Sequence, residues 1–266
     1  MKDYYRAYAC PKCKESLDIN ENVLVCANNH SFDIAKEGYV NLILANKKNS
    51  LQSGDTKEMI KARDKFLQTG HYDFLLKSIF KLASKSRKFK NILEVGCGSG
   101  FYLNALNEYI KPDLALGSDV SKEAMKFSSK KYKDCYFSVD NSFDFNFKNE
   151  FFDLVISIFS PFDNAELERI IAKSGLFILV RPGKNHLTEL YDLIGMPKKE
   201  KTYPEFTNLK SIKTIEVSQK NKITQEDLNS LIEMSPLFWK IKNIDIKDIN
   251  LPEITFDFWV NVYEKI

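Results

Sequence analysis

The chain has no run of 18 apolar residues, so nothing in it reads as a membrane-spanning helix, and its opening MKDYYRAYAC lacks the apolar stretch of a secretory signal. A cytoplasmic location and no membrane partner are expected. Histidine is scarce, at three residues, and tryptophan scarcer, at two. Cysteine occurs only at Cys10, Cys13, Cys26, Cys97 and Cys135, and an odd count without a secretion signal argues against a disulfide framework. A large charge of either sign is also missing: 39 Lys and Arg face 36 Asp and Glu. The small excess is unevenly placed, with 17 basic against 10 acidic residues in the first 90 positions and 22 against 26 in the rest. A phosphate backbone would be met most readily by that first third, although a Lys-rich, Asn-rich surface that is merely solvated accounts for it equally.

What is present divides unequally. At 266 residues and 44% hydrophobic content, the chain can bury one sizeable core and a small satellite that needs reinforcement. Residues 10–30, CPKCKESLDINENVLVCANNH, read as knuckle, hairpin, knuckle. Their Cys10-x2-Cys13-x12-Cys26-x3-His30 spacing offers three thiolates and an imidazole, a closed tetrahedral set of the structural zinc kind. A redox CxxC is the competing reading, but no thioredoxin-like βαβ pattern surrounds Cys10. Cys97 and Cys135 fall in or beside strands and are expected as small buried hydrophobes. The zinc unit is expected over residues 1–45, a linker and helix over 46–70, and the main domain over 71–266.

From residue 91 the pattern alternates. Strand-like runs are 91–96, 114–120, 135–140, 152–159 and 175–182, with helical spacing at 101–110, 122–132 and 163–173, which makes an α/β fold with a buried parallel sheet. Before it, two amphipathic helices are expected at 56–69 and 72–84, the first closed by Gly70. Near the C-terminus, IKNIDIKDI and ITFDFWVNVYEK are expected to pair antiparallel. Segment 196–225 is polar and Lys-rich, and reads as a lid or substrate-facing insertion.

Leu93-Glu94-Val95-Gly96-Cys97-Gly98-Ser99-Gly100 closes the first strand of the alternating region. Glycines there let the backbone turn tightly and approach a ligand at the strand's carboxyl end. Asp119 closes the next strand, where a carboxylate can accept from a ribose diol; Asp140 stands at the end of the third. A dinucleotide enzyme also fits a GxGxG with a spaced acid, but the opening Glu94 resembles the E/D-x-G-x-G-x-G of S-adenosylmethionine-dependent methyltransferases. In that resemblance Glu94 orients the methionine end of the cofactor, and Asp140 stands where an adenine-contacting acid is common. Past the fourth strand, Phe159-Ser160-Pro161-Phe162-Asp163 forms a proline-aromatic corner of the kind that holds a flipped base, with Phe162 as a stacking face. Phe162 fits a core role as well, and Asp163, the carboxylate nearest that corner in sequence, fits helix capping as well as catalysis.

Taken in order, CPKC…CANNHSFDIAKEGYVNLI, SGDTKEMIKARDKFLQTGHYDFL, GCGSGFY, SDVSKEAMK and RPGKNHLTEL resemble the RlmA-type family of 23S ribosomal RNA guanine-N1 methyltransferases over nearly the whole chain. The resemblance implies a Rossmann-like class I S-adenosylmethionine methyltransferase domain behind a small zinc-binding domain that helps grip RNA. It further implies zinc at Cys10, Cys13, Cys26 and His30, cofactor contacts at Tyr72, Gly100, Phe101 and His186, and a homodimer as a possible assembly. One family member departs at the corner, with APC in place of SPF, and has alanine where Asp140 stands. Two other functions fit the sequence: a small-molecule methyltransferase with a structural zinc element, and an RNA-binding protein that keeps the cofactor fold without catalysis.

Overall fold

The computed structural model describes residues 3–46, 54–84, 88–197, 204–239, 249 and 251–266. After a 3-10 turn at Tyr4–Ala7, the zinc-type unit forms a three-stranded antiparallel sheet of β1 (Leu17–Asn20), β2 (Val23–Cys26) and β3 (Ser31–Asp33), in the order β1-β2-β3. A short β4 (Tyr39–Asn41) follows, then helices α1 (Lys57–Leu67) and α2 (Asp73–Ser84). Thr56 caps α1 by accepting the backbone N–H of Met59 at 3.3 Å, a hydroxyl meeting one of the unpaired amides of a first turn.

The main sheet has eight strands. Its elements are β5 (Asn91–Val95), α3 (Phe101–Ile110), β6 (Leu114–Asp119), α4 (Lys122–Lys131), β7 (Tyr136–Val139), β8 (Phe152–Ile158), α5 (Asn164–Ile170), β9 (Ile171–Pro182), α6 (Thr188–Leu193), β10 (Leu209–Lys222), α7 (Gln225–Glu233) and β11 (Glu253–Lys265). The order is β10-β11-β9-β8-β5-β6-β7-β4, parallel from β9 to β4 and antiparallel for β10, β11 and β9. Strand order reverses between β5 and β8, so the crevice for a ligand opens at their carboxyl ends. Among the described residues, no helix is long and apolar enough to cross a membrane.

Two features differ from the sequence reading. The partner of β11 is β10, drawn from the polar stretch expected as a lid, while 241–248 of the expected partner strand lie outside the described residues. Most of the expected polar connection at 47–55 lies outside them too. Finally, the first 45 residues are no detached satellite. β4 lies parallel to β7 at the edge of the large sheet, with Tyr39 opposite Phe137 and Asn41 opposite Val139. One continuous core joins Tyr8, Leu17, Leu24 and Phe32 of the zinc-type unit to Leu93, Val95, Phe147 and Val155 of the main domain. An α/β sheet needs cover on both faces, and helices α1 to α4 supply it on the other face through Ile60, Leu75, Leu103 and Met125. The N-terminal unit therefore stands where further helices would otherwise pack.

Candidate active site and metal centre

Cys10, Cys13, Cys26 and His30 converge, their ligand atoms all within 4.8 Å of one another. Cys13 Sγ lies 3.7 Å from Cys26 Sγ, and His30 Nδ1 lies 3.5 Å from Cys10 Sγ and 3.4 Å from Cys26 Sγ. A zinc ion with Zn–S bonds of ~2.3 Å spreads tetrahedral sulfurs about 3.8 Å apart, so the set fits zinc with no position left open. Backbone turns shape both knuckles: Cys10 O accepts from Lys14 N at 2.8 Å, and Cys26 O accepts from Asn29 N at 2.9 Å. Lys14 and Asn29 take left-handed φ values of 61° and 58° to close them.

At the carboxyl end of β5, Gly96, Gly98 and Gly100 all have positive φ, which glycine adopts without strain. A Cβ on Gly96 would meet Ser160 Oγ at 2.0 Å, and one on Gly98 would meet Arg63 at 2.8 Å, so side chains crowd the loop from two directions. Glu94 is 2% exposed and its Oε2 has no partner; Ser99 Oγ and the Tyr102 hydroxyl are buried and unpartnered too. Burial pushes the Glu94 carboxyl well above the usual carboxylate range, against the backbone N–H of Leu103, which favours its charge. An orphaned acid beside a glycine loop is what the ammonium of a methionine moiety would satisfy, and this fits S-adenosylmethionine. Asp119, at the end of β6, accepts from Gly98 N at 3.0 Å and Ser121 N at 2.8 Å; burial raises its pKa and those two amides oppose the rise.

The other expected cofactor residues are distributed around this crevice. Phe101 opens α3 directly after Gly100. Tyr72 is buried edge-on to Phe256 and Phe258, with ring centroids 5.1 and 5.0 Å away. His186, in the loop after β9, lies 4.7 Å from the Phe258 ring. Asp140 turns away into its own loop, accepting from Asn141 N, Asn146 N and Asn146 Nδ2 at 2.8 to 3.0 Å. Burial lifts its pKa to about 7 in spite of those donors. An adenine contact by its carboxylate therefore has no support in this arrangement.

Two expectations at the corner after β8 meet different geometry. Phe162 packs edge-on against Phe177 at 5.4 Å and stacks on Phe206 at 6.4 Å, half-buried against the core. Asp163 caps α5, accepting from Glu166 N at 2.9 Å. The aromatic presented at the edge is Phe159, the first residue of the same corner, whereas the sequence alone favours Phe162 for stacking. It is 38% exposed with φ of 60°, a conformation a bulky residue adopts only under constraint. Its ring lies 5.4 Å from Phe258 and 6.4 Å from His186. Nothing local singled it out, because a strand-terminal Phe reads as core until its backbone is seen.

A loop joins this corner to the metal centre. Ser142 Oγ donates to Pro161 O at 2.8 Å, Asp163 N donates to Ser142 O at 3.0 Å, and Lys14 Nζ donates to Asp144 Oδ1 at 3.3 Å. Phe143, between them, is 55% exposed.

Known proteins match in the same two pieces. The RlmA N-terminal zinc-ribbon family matches residues 8–51, and a methyltransferase domain family matches residues 92–182. The fold and its crevice thus define an S-adenosylmethionine-dependent methyltransferase carrying a zinc ribbon. More particularly, the chain joins a zinc ribbon matching the RlmA N-terminal family to that methyltransferase domain. It is 29% identical to a Bacillus subtilis protein provisionally named a 23S rRNA (guanine-N1)-methyltransferase, over 95% of both chains. It is 28% identical to the 23S rRNA (guanine(748)-N1)-methyltransferase of Streptomyces fradiae, over 73% of this chain and 70% of that one. Among solved structures, a chain from the complex of the Haloferax volcanii Trm112 methyltransferase activator with a methyltransferase aligns at a TM-score of 0.50, with 16% identity, over 80% of this chain and 99% of that one. That likeness concerns the fold.

Proposed function

We propose that this chain transfers a methyl group from S-adenosylmethionine to N1 of a guanine in 23S ribosomal RNA, with the base extruded from its stack. The observation that carries the reading is Phe159: an exposed, conformationally constrained aromatic at the end of β8, on a corner whose Ser160 crowds Gly96 of the cofactor loop. A flipped base needs a stacking face beside the transferred methyl group. Phe159, backed by Phe258 and His186, supplies one, and takes the role that sequence alone gave to Phe162.

The cofactor supplies an electrophilic methyl group on a sulfonium. The chain's own contribution is alignment. Glu94 and the glycine loop fix one reactant, the Phe159 corner fixes the other, and holding both in line converts an encounter into an intramolecular step. N1 of guanine carries a proton at neutral pH, so forming the N1–carbon bond breaks the sulfonium–methyl bond, releases S-adenosylhomocysteine and passes the N1 proton to solvent water; Asp163 is a poor acceptor for it, since its Oδ1 caps α5. Recognition of RNA falls to the zinc ribbon and the 141–146 loop. Lys14 ties the first knuckle to that loop and Phe143 stands exposed on it, so the basic N-terminal third borders the target corner.

The experiment is methylation of a deproteinised 23S transcript by the purified protein with labelled cofactor. Labelled N1-methylguanine is the expected product. Methylation of small nucleophiles with no label in RNA would favour the small-molecule alternative.

A further inference from the structure

The segment SGDTKEMIKARDKFLQTG carries much of the family resemblance, yet neither the zinc centre nor the corner after β8 draws on it. Its Arg63 lies mid-way along α1, and the guanidinium reaches the glycine loop, where it would meet a Cβ on Gly98 at 2.8 Å. Two acceptors aim it there. Asp55 accepts from Nη1, and the carbonyl of Met234, the C-cap of α7, accepts from Nη2 at 3.0 Å. Asp55 is itself held, its carbonyl accepting from Ser121 Oγ at 2.8 Å.

Around the same loop, Glu94 Oε2 is buried without a partner, and Arg63 is the cation that favours the charged forms of both Glu94 and Asp119. A guanidinium and an orphaned carboxylate over one loop make a receptor for a zwitterion: carboxylate on the first, ammonium on the second. We infer that Arg63 binds the α-carboxylate of S-adenosylmethionine while Glu94 takes its α-ammonium. Lysine would not substitute fully, because a guanidinium pre-organised by two acceptors presents a planar donor pair that a single ammonium cannot. The inference rests on the cofactor site of the methyltransferase domain and is independent of which RNA is modified.

Calorimetric titration of the full-length, zinc-loaded protein with S-adenosylhomocysteine and with its decarboxylated analogue, in the absence of RNA, tests it. The wild-type protein should bind the intact ligand at least about tenfold more tightly. Arg63→Ala should bind S-adenosylhomocysteine about 10- to 100-fold more weakly and the decarboxylated ligand almost unchanged, which erases the preference. Arg63→Lys should fall between them, and Glu94→Gln should weaken both ligands alike. Equal weakening of both ligands by Arg63→Ala would mean that Arg63 only packs α1 against α7. An undiminished preference in Arg63→Lys, or unchanged binding in Arg63→Ala, would overturn the assignment. Should Arg63→Ala fail to fold, the ligand preference of Arg63→Lys decides. A wild-type protein that binds neither ligand removes the cofactor assignment together with the inference, whereas absent RNA methylation with the ligand preference intact removes only the RNA reading.

Discussion

The ammonium of Lys14, one residue past the second zinc ligand, donates to the side-chain oxygen of Asn146 at 3.2 Å. Asn146 in turn donates to both oxygens of Asp140 at the end of β7. The metal knuckle is thereby fastened to a strand of the cofactor-binding sheet, and β4 fastens it again at the sheet edge.

Removing zinc should therefore disturb more than the ribbon. Metal binding and folding are coupled in such small units, where the ion contributes about 10–16 kcal/mol to folding in peptides. Chelation, or Cys26→Ser, should expose the amides of β2, β4 and β7 to hydrogen exchange together, with a fall in cofactor affinity. Exchange confined to residues 8–33 would show that the ribbon folds independently of the sheet.

Asp119→Ala should weaken S-adenosylmethionine binding by about 1.5–3 kcal/mol, the loss of a charged acceptor for ribose hydroxyls. The same carboxylate holds the amides of Gly98 and Ser121, so the loop loosens as well. Calorimetric titration reads the effect, and an unchanged dissociation constant removes Asp119 from the site.

Phe159 and Phe162 should separate cleanly. Phe159→Ala should slow RNA methylation by roughly tenfold or more, at ~1–3 kcal/mol per stacked base, with cofactor affinity and melting temperature retained. Phe159→Leu should not rescue it. Phe162→Ala should instead destabilise the protein by about 2–4 kcal/mol through lost packing on Phe177 and Phe206, with little change in single-turnover rate below the melting temperature. Equal kinetic defects in the two variants would place the base elsewhere.

Asp140 gives a pH dependence with a defined sign. Burial raises it from the ordinary 3.8 to about 7. Between those values the folded protein keeps a proton that the unfolded chain has released, so this group's contribution to stability is full below the lower value and is lost as pH rises through the upper one. Chemical denaturation of wild type and Asp140→Asn at several pH values from 5.5 to 8 should show the variant losing less stability across that range. Parallel curves would assign the slope to other groups.

Much of this was legible in the sequence. Periodicity located β5 to β9 and helices α1 to α5 within a few residues, because strands buried on both faces read as apolar runs and α1, α4 and α5 carry clear side-chain caps. The four zinc ligands followed from spacing alone, and Cys97 and Cys135 are buried as expected. β10 was illegible for a physical reason: it is an edge strand facing water along most of its length, so LKSIKTIEVSQKNK has little hydrophobic alternation and carries the lysines that discourage edge pairing. The merging of the ribbon with the main core was equally hidden, since Tyr8 and Leu24 look alike whether they bury each other or a neighbouring sheet. Phe159 and Arg63 depend on backbone conformation and on contacts between segments distant in sequence, which no local pattern records.

The central claim is methyl transfer to guanine N1 in 23S ribosomal RNA. Its most direct test is mass-spectrometric mapping of nucleosides in a 23S transcript incubated with the protein and isotopically labelled S-adenosylmethionine. The account predicts label in N1-methylguanine at a single guanine, accumulating roughly tenfold or more slowly in Phe159→Ala. Label on another atom or base, or none in RNA while cofactor is bound, would contradict it.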